Sequence, residues 1–208
     1  MTEHSSQQPS EDAAPINLLM QLLRDRSKDA LGPYVPGRGE FAPRWQAVAG
    51  LVKLGVAAVD PLCFALQEDD ANTRRFAATA LARIGDGRAV APLVIAFQTS
   101  ELYVQRYVAH ALAVVGDERA VAVLFRALQQ PAIARESLLA LHAILARTAD
   151  TVSPDLLHPV AHLADAGHAV VEEPDTDGGY LSWNRVDHWL DYRPVKALAQ
   201  QALARRRA

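Results

Sequence analysis

The amino-acid sequence predicts an all-α fold, a solenoid of stacked helix pairs, and three observations carry the prediction. The segment Arg75 to Gln98, RFAATALARIGDGRAVAPLVIAFQ, aligns without a gap on Arg106 to Gln129, RYVAHALAVVGDERAVAVLFRALQ, at an offset of 31 residues. Within each copy the apolar residues recur at three- and four-residue steps: Ala77, Ala80, Leu81 and Ile84, then Val90, Leu93, Val94 and Phe97. That spacing builds two amphipathic helices per copy. Ala and Leu together make up about three residues in ten while aromatics are 6%, a composition that favours helix throughout. A two-helix unit cannot bury its apolar stripes alone, so the copies must stack.

The elements follow in chain order. Residues 1–13 are polar and are expected to form a disordered tail. Residues 14–42 form an N-terminal cap: Ile16, Leu19, Met20 and Leu23 mark a helix from Ile16 to Arg26, and the Gly/Pro-rich run from Gly32 to Gly39 must be loop. The array occupies residues 43–165 as four helix pairs. Trp45 to Gln67 is a degenerate first copy, one residue shorter in its turn. Arg135 to Ile144 opens a fourth, with a longer turn through Thr148 to Pro154.

Between the two helices of a unit, Gly85-Asp86 supplies a residue free to take positive φ and a carboxylate to cap the next helix; Gly116-Asp117 is expected to repeat the device. Residues 166–193 then break the repeat. From Asp165 to Asp191 there are seven acidic residues against one Arg, together with Tyr180, Trp183 and Trp189. This acidic, aromatic insert is read either as a cap that plugs the end of the solenoid, the favoured alternative, or as a loop that reaches a ligand. Pro194 opens a last capping helix in residues 194–208, with Val195, Leu198 and Leu203 expected inward and Arg205 to Arg207 at its C-terminal end, where cations suit the dipole.

The repeat pattern A-x-x-A-L-A-x-x-G-D-x-R-A-V-x-x-L with a period near 31 resembles the short HEAT-like repeats of phycobilisome lyases and many other bacterial proteins. The likeness spans residues 43–165. It implies the solenoid fold, and for function a choice between a protein-binding scaffold or adaptor and, as the alternative, a ligand-handling protein of the bilin-lyase type. Two other activities found on similar repeats are not supported. There is no His-Glu dipeptide of the kind that holds iron in deoxyhypusine hydroxylase. The formal net charge of −3 argues against the basic channel of a DNA glycosylase of this fold, and against nucleic-acid binding generally.

The site expectations follow from charge and aromatic content. Residues 41–149 carry 11 basic and 9 acidic side chains, so a mildly basic array adjoins an acidic insert. Arg75, Arg106 and Arg135 form one column, and Arg88 and Arg119 a second, with Arg126 further along its helix. One use of such arginines is an ion-pair ladder with Asp86 and Asp117. The other is recognition: Arg88, Arg119 and Arg126 on the concave face, with Tyr180, Trp183 and Trp189 of the insert, bind a protein partner, an acidic one. His158 and His162, four apart, are candidates for a metal pair, without the Glu of a His-Glu-x-x-His motif.

Cys63, in an apolar stretch, is read as a buried inert thiol. No catalytic set and no cofactor is expected. The polar N-terminus and the lack of a run near 20 uncharged apolar residues point to a cytoplasmic protein that does not use a membrane. Arg supplies 18 of the 21 basic residues, which with the alanine bias suggests a bacterial source.

Overall fold

The computed structural model describes residues 13–26, 43–174 and 183–207, with backbone alone over 168–174 and 183–188. Of the tail expected over residues 1–13, residues 1–12 lie outside the described residues and Ala13 opens the first helix; the loop from Gly32 to Gly39 and Tyr180 also lie outside them.

Helix α1 (Ala13–Arg24) lays Ile16, Met20 and Leu23 onto the first repeat. Four helix pairs then run along the chain: α2 (Pro43–Leu54) with α3 (Val59–Ala65), α4 (Ala71–Ile84) with α5 (Val90–Thr99), α6 (Leu102–Val115) with α7 (Glu118–Ala127), and α8 (Ala134–Thr148) with α9 (Pro154–Ala161). The first helices stack on one another, α2 on α4, α4 on α6 and α6 on α8. Alanine makes the close stacking possible: Ala77, Ala78, Ala80, Ala109, Ala111 and Ala140 are all fully buried between neighbouring helices. Leu62, Leu81, Leu93, Leu112, Leu124 and Leu141 run through the middle as one continuous core.

Each junction has its own local cause. Asp70 caps α4 by accepting from the Thr73 amide at 2.8 Å. Gly55 and Gly85 end their helices at φ +61° and +79°, which only glycine adopts without penalty. Gly116 does not repeat that device. Its backbone is extended, at φ −62° and ψ 151°. Glycine is needed there for room, because a Cβ would overlap the Leu112 carbonyl and the Ile144 side chain.

The stretch Pro43–Ala65, 23 residues with an 18-residue window at a mean hydropathy of 1.7, is long and apolar enough by length and composition to cross a membrane, which the sequence reading did not anticipate. Here it is the first helix pair of the array. The turn Gly55–Ala58 interrupts it, Arg44 near its start is buried and ion-paired, and Ala47, Val48, Leu51, Val59, Leu62 and Ala65 face the core.

The insert departs from an all-helical chain. Strands β1 (Ala166–Pro174) and β2 (Trp183–Asp191) pair antiparallel in a two-stranded ribbon, with Ala166 opposite Asp191 and Pro174 opposite Trp183. Its base is fixed by Tyr192, which is buried and lies over Gly167 so closely that any side chain at 167 would overlap the ring. Trp189 does not plug the solenoid, since it is 80% exposed. Helix α10 (Arg193–Arg205) closes that end instead, packed on α8 and α9. Its innermost residues are Val195, Ala199 and Ala202; Leu198 and Leu203, expected inward, are half-buried. The small residues let α10 approach closely, leaving the leucines at the flanks.

Candidate interaction surface

The polar columns read from the sequence resolve into different structures. Asp86 and Asp117 each accept from the amide two residues on and pair with the same residue's guanidinium, Arg88 and Arg119. Each arginine also donates to the turn of the preceding repeat: Arg88 to the Val56 carbonyl at 3.1 Å and Arg119 to the Gly87 carbonyl at 3.1 Å. The ladder therefore exists, with each rung running from an aspartate in its own turn to a backbone carbonyl one repeat back. Hydrogen bonds from the arginines hold both carboxyls below the usual carboxylate range.

In the fourth repeat the rung comes from elsewhere. Arg147, in the last turn of α8, donates to the Ala113 and Gly116 carbonyls at 2.7 and 3.1 Å.

The other arginine column is not uniform. The Arg75 guanidinium lies 4.2 Å from the Phe76 ring centroid and 5.6 and 5.3 Å from those of Tyr103 and Tyr107. Arg106 has Glu136 at 3.8 Å, so neither uses an aspartate of a Gly-Asp turn. Among the arginines expected to bind a partner, Arg126 differs from the ladder pair. It is exposed and donates to a carbonyl of its own helix, that of Ala122 at 3.3 Å.

Arg126 also belongs to a column absent from the sequence expectations. Counting back by 31 gives Ile95 and then Phe64, and these are 54% and 69% exposed. One position earlier stand Cys63, Val94 and Phe125, all half-buried; three positions later stand Gln67, Gln98 and Gln129, all exposed. Helices α3, α5 and α7 thus present one face in register: an apolar stripe, a flanking row of glutamine amides, and a cation at one end. Cys63 on this face is no nucleophile, because burial and then Asp60 push its thiol up to about 11.

The chain is matched over residues 38–103 and 59–144 by the family model for HEAT repeats, together just over half of its length. It is a HEAT-repeat protein. No curated protein matches it. HEAT repeats commonly serve as protein-interaction scaffolds, presenting extended surfaces built from stacked helices.

The remaining predicted site residues of this HEAT-repeat protein are scattered. Trp183 opens β2, and its side chain lies outside the described residues, like Tyr180. Trp189 stands at a shallow depression of about 330 Å³ beside Asp165, Asp191 and Arg193. His158 lies on α9 and His162 caps its end, with their rings stacked, centroids 6.3 Å apart. Among the described residues no third His, Cys, Asp or Glu joins them in a group able to hold a metal ion.

A buried polar centre was also missed from the sequence. Arg44, 3% exposed, donates to the Asp70 carboxylate at 2.9 Å and to the Asp25 carbonyl at 3.0 Å, while the Thr73 hydroxyl donates to the same carboxylate at 2.6 Å. Burial alone would raise the Asp70 carboxyl, but the hydrogen bonds from Thr73 and Arg44 outweigh it and bring it down to about 2. This centre ties α1, α2 and α4 together and touches no surface stripe.

Proposed function

We propose that this protein is a scaffold or adaptor that docks a partner's apolar segment across α3, α5 and α7. Phe64 and Ile95 are the anchors, and Arg126 meets an acidic group at one end. The observation that supports this most is the 31-residue register of two exposed large apolar side chains, each more than half exposed, on consecutive repeats. Large apolar residues scattered singly on a surface need no explanation, but large exposed ones at the same column of consecutive repeats are of the kind that marks a docking site. Arg88 and Arg119 serve the ladder that sets the spacing of the anchors. Trp189, exposed on the acidic hairpin, provides a second contact outside the array.

The setting in keeping with the composition is the cytoplasm, away from nucleic acid and membranes. The net charge of −3 supports that choice.

The test is a comparison of variants in affinity capture of the partner. Phe64→Asp combined with Ile95→Asp is expected to abolish capture while leaving the helical circular-dichroism signal and the melting temperature within a few degrees of wild type. Both side chains already face solvent, so folding loses little. Arg126→Glu is expected to weaken capture about tenfold. On the first-helix face, Thr79→Asp with His110→Asp is expected to change nothing. Undiminished capture by the Phe64/Ile95 variant rejects the stripe.

A further inference from the structure

We infer that the groove between α9 and α10 is a binding site for an elongated organic dianion, charged at both ends and apolar between. The site is separate from the α3–α5–α7 stripe. The groove holds about 640 Å³, within the roughly 300–1,000 Å³ of small-molecule sites, and no acidic side chain lines it. On one wall Lys196, Gln200, Leu203 and Arg207 follow one another at three- and four-residue steps and so share a face of α10 and its continuation. On the other are His158 and Ala161 of α9 and His162 at its end.

The two helices run antiparallel. Gln200 donates to the Ala161 carbonyl at 3.0 Å, Lys196 meets Asp165 just past α9, and Arg205 meets Asp150 just before it.

That direction sets Lys196 and Arg207 at opposite ends of the groove. His162 lies by Lys196 and His158 toward Arg207, and the 11-residue step from Lys196 to Arg207 puts the two ends about 16 Å apart at a helical rise. Between them stand Ala161, Leu203 and Ala204, with the Gln200 amide engaged by the Ala161 carbonyl. The imidazoles form the wall here: the two rings stack at 28°, and the His162 Nδ1–H donates to the His158 carbonyl at 2.7 Å. Lys196 is already posed for a carboxylate. Its ammonium meets that of Asp165 at 2.8 Å, an aspartate that is 69% exposed and whose carboxyl that hydrogen bond holds below the usual range. A ligand carboxylate there shares the ammonium with Asp165, and its second carboxylate reaches Arg207.

The experiment is isothermal titration of the full chain with dodecanedioate, with dodecanoate and inorganic phosphate as comparison probes. Dodecanedioate is expected to bind saturably at one site, at least tenfold more tightly than either comparison. Lys196→Ala and Arg207→Ala are each expected to weaken it about tenfold, by loss of one charge-assisted contact, whereas Arg126→Ala leaves it unchanged. Arg207 is exposed, so its variant keeps the fold, and unchanged far-ultraviolet dichroism verifies this for both. Absence of saturable heat to millimolar diacid overturns the site. Dodecanoate binding as tightly as the diacid removes the second charged end, and phosphate binding as tightly removes the apolar middle. Binding unaffected by both variants moves the diacid elsewhere and rejects the groove. None of these outcomes bears on the partner stripe, which Arg126→Glu and the Phe64/Ile95 variant test separately.

Discussion

Asp70→Ala is expected to destabilise the protein by about 4 kcal/mol, combining about 3–5 kcal/mol for stripping the carboxylate from a buried guanidinium with about 1 kcal/mol for a lost helix cap, which overlap in part. The size follows from Arg44. At 3% exposure it cannot turn to water, and among the described residues Asp70 is the carboxylate it donates to. The same carboxylate caps α4 and accepts the Thr73 hydroxyl, so a single substitution loosens the seam between α2 and α4. A fall in the urea midpoint at unchanged m-value measures it. Replacing both charges together, Arg44→Met with Asp70→Ser, is expected to recover most of the loss, because no charge is left buried and Ser retains the cap.

The centre also sets an acid limit. The Asp70 carboxyl lies at about 2 in the folded chain against about 3.9 unfolded, so its stabilisation is fully present above about pH 5 and is lost as pH falls toward 2. Asp70→Ala should therefore flatten the acid limb of the stability–pH curve.

The second large effect is expected from Leu112→Ala. Leu112 is fully buried on α6, the helix packed between α4 and α8, and truncation there should cost about 3 kcal/mol from lost transfer energy and the cavity left behind. A stack of repeats holds together through neighbour terms, so a cavity in a central helix should also uncouple the two halves. The expected signature is a broadened urea transition with a lower apparent m-value. The same truncation at Leu23, equally buried but in the terminal α1, should lower stability while leaving the transition single. A sharp, unbroadened transition for Leu112→Ala would show that the array unfolds as one unit.

What was legible in the sequence was whatever repeats. The 31-residue offset fixes which residues stack, so the four helix pairs and the buried alanine and leucine columns follow from the alignment of RFAATALARIGDGRAV on its neighbour. The stripe was equally legible in principle, since Phe64, Ile95 and Arg126 stand 31 apart; attention to charge picked out Arg126 and passed over the two apolar members of its column. Gly116 was misread because identical residues at equivalent columns need not share a backbone state. Gly85 is left-handed, whereas Gly116 is extended and crowded by Ile144.

The hairpin had a local signal too. Val170-Val171 and the aromatic run from Trp183 flank Asp177-Gly178-Gly179, a strand–turn–strand pattern. The excess of alanine helices elsewhere obscured it. The Arg44–Asp70 pair and the α9–α10 groove leave no trace in spacing, because both arise where distant segments meet in the fold.

The most direct measurement is site-specific photo-crosslinking of the partner from positions 64, 95 and 126 against positions 79 and 110 on the first-helix face. Docking across α3, α5 and α7 predicts crosslinks from the first three positions to one continuous partner segment, and none from 79 or 110. Crosslinks confined to the first-helix face would contradict it.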